Sequence, residues 1–332
     1  MGCLQTLLIM AKASNTINGK AFEYACLRSL FAQAKALNKD VRIEANKAFM
    51  TAKKAFSVID NNAKTEMMAA ANTATKVIVP LEPKLMGGSG TLLLTIAADA
   101  AAIGVDGDVR DVLCARADDE KWTIGISCKH NHEGLRHPRI TEGKDFGADW
   151  IGVHCSREFM DEITPITNSL IENGKNGTLW SQIDKKWDRY YVPILTAYLK
   201  EIQRMCDEDS TVPEKLLSYF FGANDFYKVI MKSGSRTTTV EGFNMHGTLN
   251  AACGKTKAMT KVPVIKMPTR LLDATFKAGT KTTIILTFDG GWSISMRLHN
   301  KDKFAKPTSL AWEVYLEGLP PSTYVNTHSW DE

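Results

Sequence analysis

Two short apolar segments near the middle of this chain constrain its fold more than any other feature. Residues 109–115 and 122–128 are apolar and rich in β-branched side chains, and a charged ARADDEK connection of hairpin length joins them. The sequence therefore predicts an antiparallel pair of strands. Residues two apart on a strand share a face, so Ser127 and Lys129 point the same way, while Asp111 lies at the start of the neighbouring strand.

An acid and a lysine on adjacent strands suit a metal-dependent enzyme that cuts phosphodiesters. Such an enzyme needs a metal that activates the nucleophile and a cation that assists, and Asp111 and Lys129 can supply the metal ligand and the cation. Asp108 can approach the same metal from the preceding loop. The alternative is a turn with solvated acids and a lysine that ends a strand in solvent, and the spacing alone favours that alternative.

The composition is that of a globular protein with an uneven charge distribution. With 332 residues, 44% hydrophobic and 23% charged, the chain can bury one large core or two smaller ones. Residues 228–306 contain fourteen Lys or Arg and four Asp or Glu, a net +10 in a chain whose total is +4. A basic segment in an otherwise acidic chain is a plausible footprint for nucleic acid.

The cysteines and the hydropathy indicate the compartment. Seven cysteines without CxxC spacing argue against a disulfide framework and favour the reducing cytoplasm. No run reaches transmembrane length, so no membrane partner is expected. The N-terminal MGCLQTLLIMAKA lacks the positive region of a signal peptide, and its match to the myristoylation pattern is of a kind that arises by chance.

The rest of the chain reads as helices followed by strands. Residues 14–37 have helical spacing, with Glu23 beside the apolar stripe, and two more helices fill residues 38–79 up to Pro80. A strand at 92–98 and the hairpin then predict a mixed sheet with helical cover. Further predictions are helices at 158–171 and 187–205, and strands at 236–240, 261–267, 282–288 and 292–298.

Two polar segments are candidates for contact with DNA. The first leaves the second hairpin strand, and the second belongs to a hairpin at 292–303 inside the basic segment, where arginine, lysine and asparagine can reach base edges. For both, a solvated loop or a charged sheet edge is the alternative. The candidate DNA-binding residues are His130, Asn131, His132, Arg136, Arg139, Arg297, His299, Asn300 and Lys301.

The histidines also raise two other readings. His130-Asn131-His132 matches the letters of an HNH nuclease, but in that motif the three residues are spread over a strand, a loop and a helix. A zinc site could use His130, His132 and His137 with Cys128 or Cys155, although no CxxC or HxxxH spacing supports one.

The hairpin and its flanks resemble a known family. GDVRDVL, then WxIGISxKHNHEGLRH, then DFGADWIG are similar to the HaeIII-type type II restriction endonucleases of the PD-(D/E)xK nuclease superfamily. Weaker similarities occur in the same order along most of the chain beyond residue 18. They are GKAFEYACLRSL, YYVPILTAYLKEI, FNMHGTLN, MPTRLL and GGWSISMRLHN.

The resemblance implies Mg²⁺-dependent cleavage of double-stranded DNA at GGCC, between the central G and C. Asp111 resembles the PD-type aspartate, Lys129 the lysine of (D/E)xK, and Glu23 the acid on the first core helix. Ser127 departs from the pattern, because a carboxylate usually holds that position and a hydroxyl is a poorer Mg²⁺ ligand. Asp108, Glu23 or the backbone carbonyl of Cys128 would supply the missing oxygen.

These inferences together predict an α/β (α+β) protein. A PD-(D/E)xK restriction-endonuclease-like core, a mixed sheet flanked by helices, would span residues 15–205 with the helices at 38–79 inserted. A basic, β-rich DNA-recognition region would span 206–332. Because GGCC is palindromic, a homodimer would match it. The alternatives are a nuclease of the same core with another specificity, in repair or recombination, and a non-catalytic DNA-binding protein in which Ser127 marks a decayed site.

Overall fold

The chain forms two compact units that interleave along the sequence. The computed structural model describes residues 2–98, 108–132, 134–140 and 144–330. One unit combines residues 1–133, 224–265 and 322–332, and the other combines 134–223 and 266–321. A single boundary near residue 205 does not coincide with this division. In the first unit, the strand that ends at residue 130 pairs in parallel with the strand that begins at residue 226. A parallel pair requires a long crossover connection, and here that connection contains the helices of the second unit.

The helices of the first unit begin with a long N-terminal helix that packs against the next two. They are α1 (Gly2–Ala36), α2 (Lys47–Val58), α3 (Asn61–Leu81) and α4 (Pro83–Gly87). The helix predicted at 14–37 is confirmed, and its apolar positions Phe22, Cys26 and Leu30 are buried. The predicted break near residue 60 is confirmed as well, because the Asp60 side chain accepts from the Ala63 N–H and caps α3. Pro80 does not stop α3, since it lies in the last turn.

A seven-stranded mixed sheet forms the centre of the first unit. Its strands are β1 (Val41–Glu44), β2 (Leu92–Ile96), β3 (Val112–Arg116), β4 (Asp119–His130), β5 (Phe226–Lys232), β6 (Thr237–Phe243) and β11 (Tyr324–Ser329), paired in that order. The β1–β2 and β4–β5 pairs are parallel and the others antiparallel. The predicted mixed sheet and the β3–β4 hairpin are confirmed; β1 falls inside a segment predicted to be helical.

One face of this sheet packs against α1. The apolar side chains of β3 and β4 that face the core are Val112, Cys114, Ile124 and Ile126, all buried with the stripe of α1. Burying an aliphatic side chain of this size contributes about 1.5–3 kcal/mol, so a few such contacts fix the alternation of faces in both strands. Gly125, Ser127 and Lys129 therefore belong to the opposite face.

The second unit combines helices with an antiparallel sheet. The helices are α5 (Phe146–Ile151), α6 (Arg157–Lys175), α7 (Val192–Glu208) and α8 (Val212–Phe221), with a π-helical turn (Trp187–Tyr191) before α7. The strands are β7 (Leu271–Phe276), β8 (Thr283–Phe288), β9 (Ser293–Asn300) and β10 (Leu310–Gly318), ordered β10-β9-β8-β7. The predicted helices at 158–171 and 187–205 are confirmed, and Pro193 lies at the start of α7.

The C-terminal strand predictions are mostly confirmed. β8 and β9 form the predicted hairpin, whose turn uses Gly290 and Gly291 at φ of 71° and 92°. The strand predicted at 261–267 is wrong. There the backbone of Val262 and Ile265 pairs with Asn244 and Asn250 instead of a neighbouring strand.

Candidate active site

The hairpin brings Asp111 and Ser127 together. Val112 pairs with Ile126, and continuing this register by one residue places Asp111 opposite Ser127. The Ser127 hydroxyl lies 3.4 Å from Oδ2 of Asp111, and the backbone N–H of Cys128 donates to the same oxygen at 2.7 Å. Ser127 is buried, whereas Asp111 and Lys129 are half-exposed. The predicted acid and lysine therefore lie at neighbouring positions of one hairpin.

The acid on α1 lies close to the same point. Glu23 is buried and forms an ion pair with Lys20 at 3.2 Å. A hydrogen bond with the Cys26 thiol, burial, and the negative charges of Asp111 and Glu23 raise the pKa of the Cys128 thiol well above its usual value. The charges of both carboxylates therefore favour the protonated form of the Cys128 thiol. A protonated thiol does not bind a metal as a thiolate. The carboxylates of Glu23 and Asp111 are thus both near enough to the Cys128 thiol to affect its pKa.

The oxygen donors at this site suit a hard divalent cation. Asp111 uses Oδ2 for its two hydrogen bonds, which leaves Oδ1 available. Among the described residues, no three His, Cys, Asp or Glu side chains assemble as a ready-made metal cage. Mg²⁺ does not require one, because it commonly binds through one or two carboxylates together with water and substrate phosphate. Asp111 and Glu23 fit that pattern. A zinc site would need a cluster of histidine and cysteine ligands, and the described residues contain none.

Asp108 forms a close ion pair with Arg110. Its carboxylate accepts from Nε of Arg110 at 2.8 and 3.1 Å and from Nη2 at 2.7 Å. The backbone N–H of Arg110 also donates to Asp108 at 3.0 Å. Both carboxylate oxygens are therefore engaged by one arginine. The sequence prediction placed Asp108 near a metal and assigned no role to Arg110.

Two charged residues beside Ser127 were not predicted. Ser127 pairs with Lys228 on β5, and Lys228 pairs with Glu241 on β6, so the three form one row across the sheet. Nζ of Lys228 lies 3.4 Å from Oε2 of Glu241, and their side chains are 2% and 12% exposed. The available signal was the lysine between the apolar residues Tyr227 and Val229, because a buried lysine requires a partner.

Comparison with known proteins identifies the family. The family model of the HaeIII restriction endonuclease matches residues 19–320. The chain is 34% identical over 324 residues to "Type II restriction enzyme HaeIII" of Haemophilus aegyptius, an alignment that covers 97% of this chain and all of that protein. The chain belongs to the HaeIII restriction endonuclease family. No solved structure matches it.

Membership in the HaeIII family makes the chain a type II site-specific deoxyribonuclease that acts on double-stranded DNA. Type II restriction endonucleases generally use a divalent metal, which agrees with the oxygen donors at Asp111 and Glu23. A nuclease of the same core with another specificity, in repair or recombination, and a non-catalytic DNA-binding protein are not favoured. No helix in the described part of the chain is long and apolar enough to cross a membrane.

The first predicted DNA-binding segment is partly structural in this HaeIII family member. Asn131 adopts a φ of 56°, and its side chain accepts from the Ser233 N–H at 2.8 Å, which ties the ends of β4 and β5 together. Burial lowers the pKa of His130, against the opposing charge of Glu66, so this imidazole favours its neutral form. His132 is exposed.

The remaining predicted DNA-binding residues meet in the second unit. Residues 134–140 run along β10, where Arg139 bridges to Ala311, and Ala311 pairs with His299 on β9. Arg139 and His299 therefore flank one residue on the same face of the sheet. Burial and the charge of Lys301 lower the pKa of His137, the third histidine considered for the zinc site.

Four of these residues have local partners. Arg136 stacks over the Tyr219 ring at 4.2 Å, and Arg297 pairs with Glu313 at 3.5 Å. Asn300 donates to the Asp302 carbonyl at 3.2 Å. Arg139 donates to the Thr308 carbonyl at 2.7 Å while its side chain stays exposed. The structure thus joins two sequence-distant candidate segments on one sheet.

Proposed function

We propose that this HaeIII family member hydrolyses double-stranded DNA at GGCC, between the central G and C, with Mg²⁺ as its metal. The support for the target is the match to a type II restriction enzyme along the full length of that relative. The observation that carries the assignment of the site is the fixed carboxylate of Asp111, held by the Cys128 N–H one residue before Lys129.

The residues of the hairpin would divide the chemistry among themselves. Asp111 and Glu23, with the backbone carbonyl of Cys128, would hold Mg²⁺, which supplies Lewis-acid stabilisation of the developing negative charge. Lys129 lies on the Ser127 face and would orient or deprotonate the attacking water. Ser127 would position the Asp111 carboxylate through its hydroxyl. Asp108, held by Arg110, is assigned a different role below.

Recognition would use the antiparallel sheet of the second unit, with the lysines in the loops that flank its strands, and the end of β4. Arginine to guanine is the commonest specific contact, and exposed Arg139 and Arg297 are the strongest candidates. His130, Asn131, His132, Arg136, His299, Asn300 and Lys301 would contribute contacts to bases or phosphates. A homodimer would present one site to each strand of the palindrome. The cytoplasmic location stays a prediction from the cysteine pattern.

The decisive experiment is to incubate the protein with plasmid DNA in Mg²⁺ and in EDTA and to map the ends. Blunt fragments that end at GGCC in Mg²⁺ only are expected. Ends at another sequence would overturn the proposed target while leaving the nuclease, and binding without cuts in Mg²⁺ would overturn the catalytic assignment.

A further inference from the structure

The side chain of Arg110 crosses the catalytic face of β4 at Gly125. A Cβ built at Gly125 would lie 2.1 Å from Cδ of Arg110, 2.4 Å from Cγ and 2.7 Å from Cβ. Those distances are far inside van der Waals contact, so no larger residue fits without moving the arginine. Such a Cβ would point to the same face as Ser127 and Lys129. Ser127 is two residues further along the strand, roughly 7 Å away.

The guanidinium is held next to this face by one acid. Nε and Nη2 of Arg110 form a two-pronged contact with Asp108 at 2.8 and 2.7 Å. The two side chains are 12% and 27% exposed, so the pair is sheltered and still reachable from solvent. Arg110 also precedes Asp111 directly, which puts the α-carbons of the two about 3.8 Å apart.

The same fork geometry fits a phosphate. A guanidinium binds carboxylate and phosphate through two parallel N–H donors, and it does so better than a lysine because the fork is planar and fixed. An enzyme that cuts DNA must hold the backbone phosphates beside its metal. A carboxylate that already occupies both donors of such an arginine is therefore a stand-in for a phosphate, and it is poorly placed to bind a metal at the same time.

We propose that Arg110 binds a DNA backbone phosphate at the cutting site, and that Asp108 holds the guanidinium in position until DNA displaces it, instead of acting as a metal ligand. This inference rests on the proposed function, because it assumes that DNA lies against the face that carries Lys129. It reassigns Asp108 and explains why position 125 is a glycine.

The inference predicts opposite effects for the two partners. The affinity for a GGCC duplex is measured in EDTA, so that metal binding does not contribute to it. Single-turnover cleavage is measured in Mg²⁺. Asp108→Asn should bind about threefold or more tightly, because it frees the fork, and its cleavage should not fall by the roughly hundredfold that loss of a metal ligand causes. Arg110→Ala should bind about tenfold more weakly than wild type, in the range of one lost charge-assisted contact. The affinity of Arg110→Lys should lie between those of wild type and Arg110→Ala.

Two controls separate this from a general charge effect and from a structural ion pair. Asp119→Asn makes the same charge change on the same hairpin, where Asp119 pairs with Lys84 at 2.6 Å, and it should not tighten binding. The Arg110→Ala/Asp108→Asn double variant should bind like Arg110→Ala alone. The salt dependence of binding should lose about one counterion in Arg110→Ala and none in Asp108→Asn.

Three results would overturn the inference. They are a loss of cleavage of about a hundredfold in Asp108→Asn with binding retained, as a metal ligand would show, equal tightening by Asp119→Asn, and wild-type binding and salt dependence in Arg110→Ala. The wild-type fragment pattern tests the proposed target separately, since the comparison in EDTA requires only that the protein binds duplex DNA.

Discussion

The backbone N–H of Cys128 donates a 2.7 Å hydrogen bond to Oδ2 of Asp111. This bond crosses from β4 to the start of β3 and belongs to the main chain, so no substitution at position 128 except proline removes it. A hydrogen bond to an ionised acceptor is roughly twice as strong as a neutral one, and it fixes the carboxylate before any ligand binds. The second oxygen is left for a metal.

Ser127 should therefore matter less than the acid it touches. Its hydroxyl lies 3.4 Å from Oδ2 of Asp111, a long bond, whereas the Cys128 N–H holds the same oxygen at 2.7 Å. We expect Ser127→Ala to slow single-turnover cleavage by roughly tenfold or less, about the effect of one weak positioning contact. A loss above a thousandfold, with unchanged thermal stability, would show that the hydroxyl itself binds the metal.

Lys129→Ala should separate cutting from binding. Loss of a base or electrostatic catalyst costs on the order of a hundredfold or more in rate, so the variant should bind the GGCC duplex and cut it at least about a hundredfold more slowly. Lys54→Ala, at an exposed position of α2, is the matched control and should cut normally. Normal cleavage by Lys129→Ala would remove the lysine from the site.

The hairpin was predictable because both of its signals are local. Apolar alternation set the faces of β3 and β4, so Asp111, Ser127 and Lys129 were placed correctly relative to each other. The connection is shorter than the predicted ARADDEK, because Arg116 pairs with Asp119 and the turn uses residues 117 and 118. The positions of Lys228 and Glu241 beside Ser127 could not be predicted from local sequence pattern. They reach the row beside Ser127 only through the parallel β4–β5 pairing, whose partners lie about a hundred residues apart in the chain.

Glu82 gives the protein a pH-dependent stability. Burial raises the pKa of this carboxyl to about 7, against hydrogen bonds from the Asn250 N–H and the Tyr227 hydroxyl. The folded state thus keeps a proton that the unfolded chain loses near pH 4.5. The free energy of unfolding should fall as the pH rises from about 4.5 to about 7, by at most roughly 3 kcal/mol from this group.

The Glu82→Gln variant isolates that contribution. The amide keeps an acceptor oxygen for Asn250 and Tyr227 but carries no charge at any pH. Urea unfolding at pH 5, 6, 7 and 8 should show a stability gain over wild type that grows with pH and levels off above pH 7. A difference that does not change with pH would show that Glu82 is not protonated in the folded protein.

The sheet of the second unit should carry sequence recognition. Arg139 and His299 flank Ala311 on one face, so Arg139→Ala and His299→Ala should each weaken binding to the GGCC duplex by about 1–3 kcal/mol. Binding to a duplex without GGCC should change much less. Lys281→Ala, whose lysine pairs with Asp188 at 3.3 Å in the same unit, serves as a control. Equal loss on both duplexes would reassign the two residues to phosphate contacts.

The recognition residues illustrate what spacing in a sequence leaves out. The segments at 130–139 and 297–301 were each chosen for their polar side chains. In the structure, β10 lies between Arg139 and His299 and pairs with both, and the sequence of residues 310–318 does not predict that pairing. Asn131 was selected for its polar side chain, and the structure shows that this side chain also ties β4 to β5 in a left-handed turn. The side-chain partners of such residues depend on distant backbone that local pattern does not specify.

The most direct measurement compares Asp111→Asn with wild type in single-turnover cleavage of a GGCC duplex in Mg²⁺. The amide preserves the shape of the side chain and its acceptor for the Cys128 N–H but removes the charge that holds the metal. We expect the cleavage rate to fall by more than about a hundredfold while duplex binding in EDTA stays within about threefold. Cleavage within tenfold of the wild-type rate would contradict the hairpin as the catalytic centre.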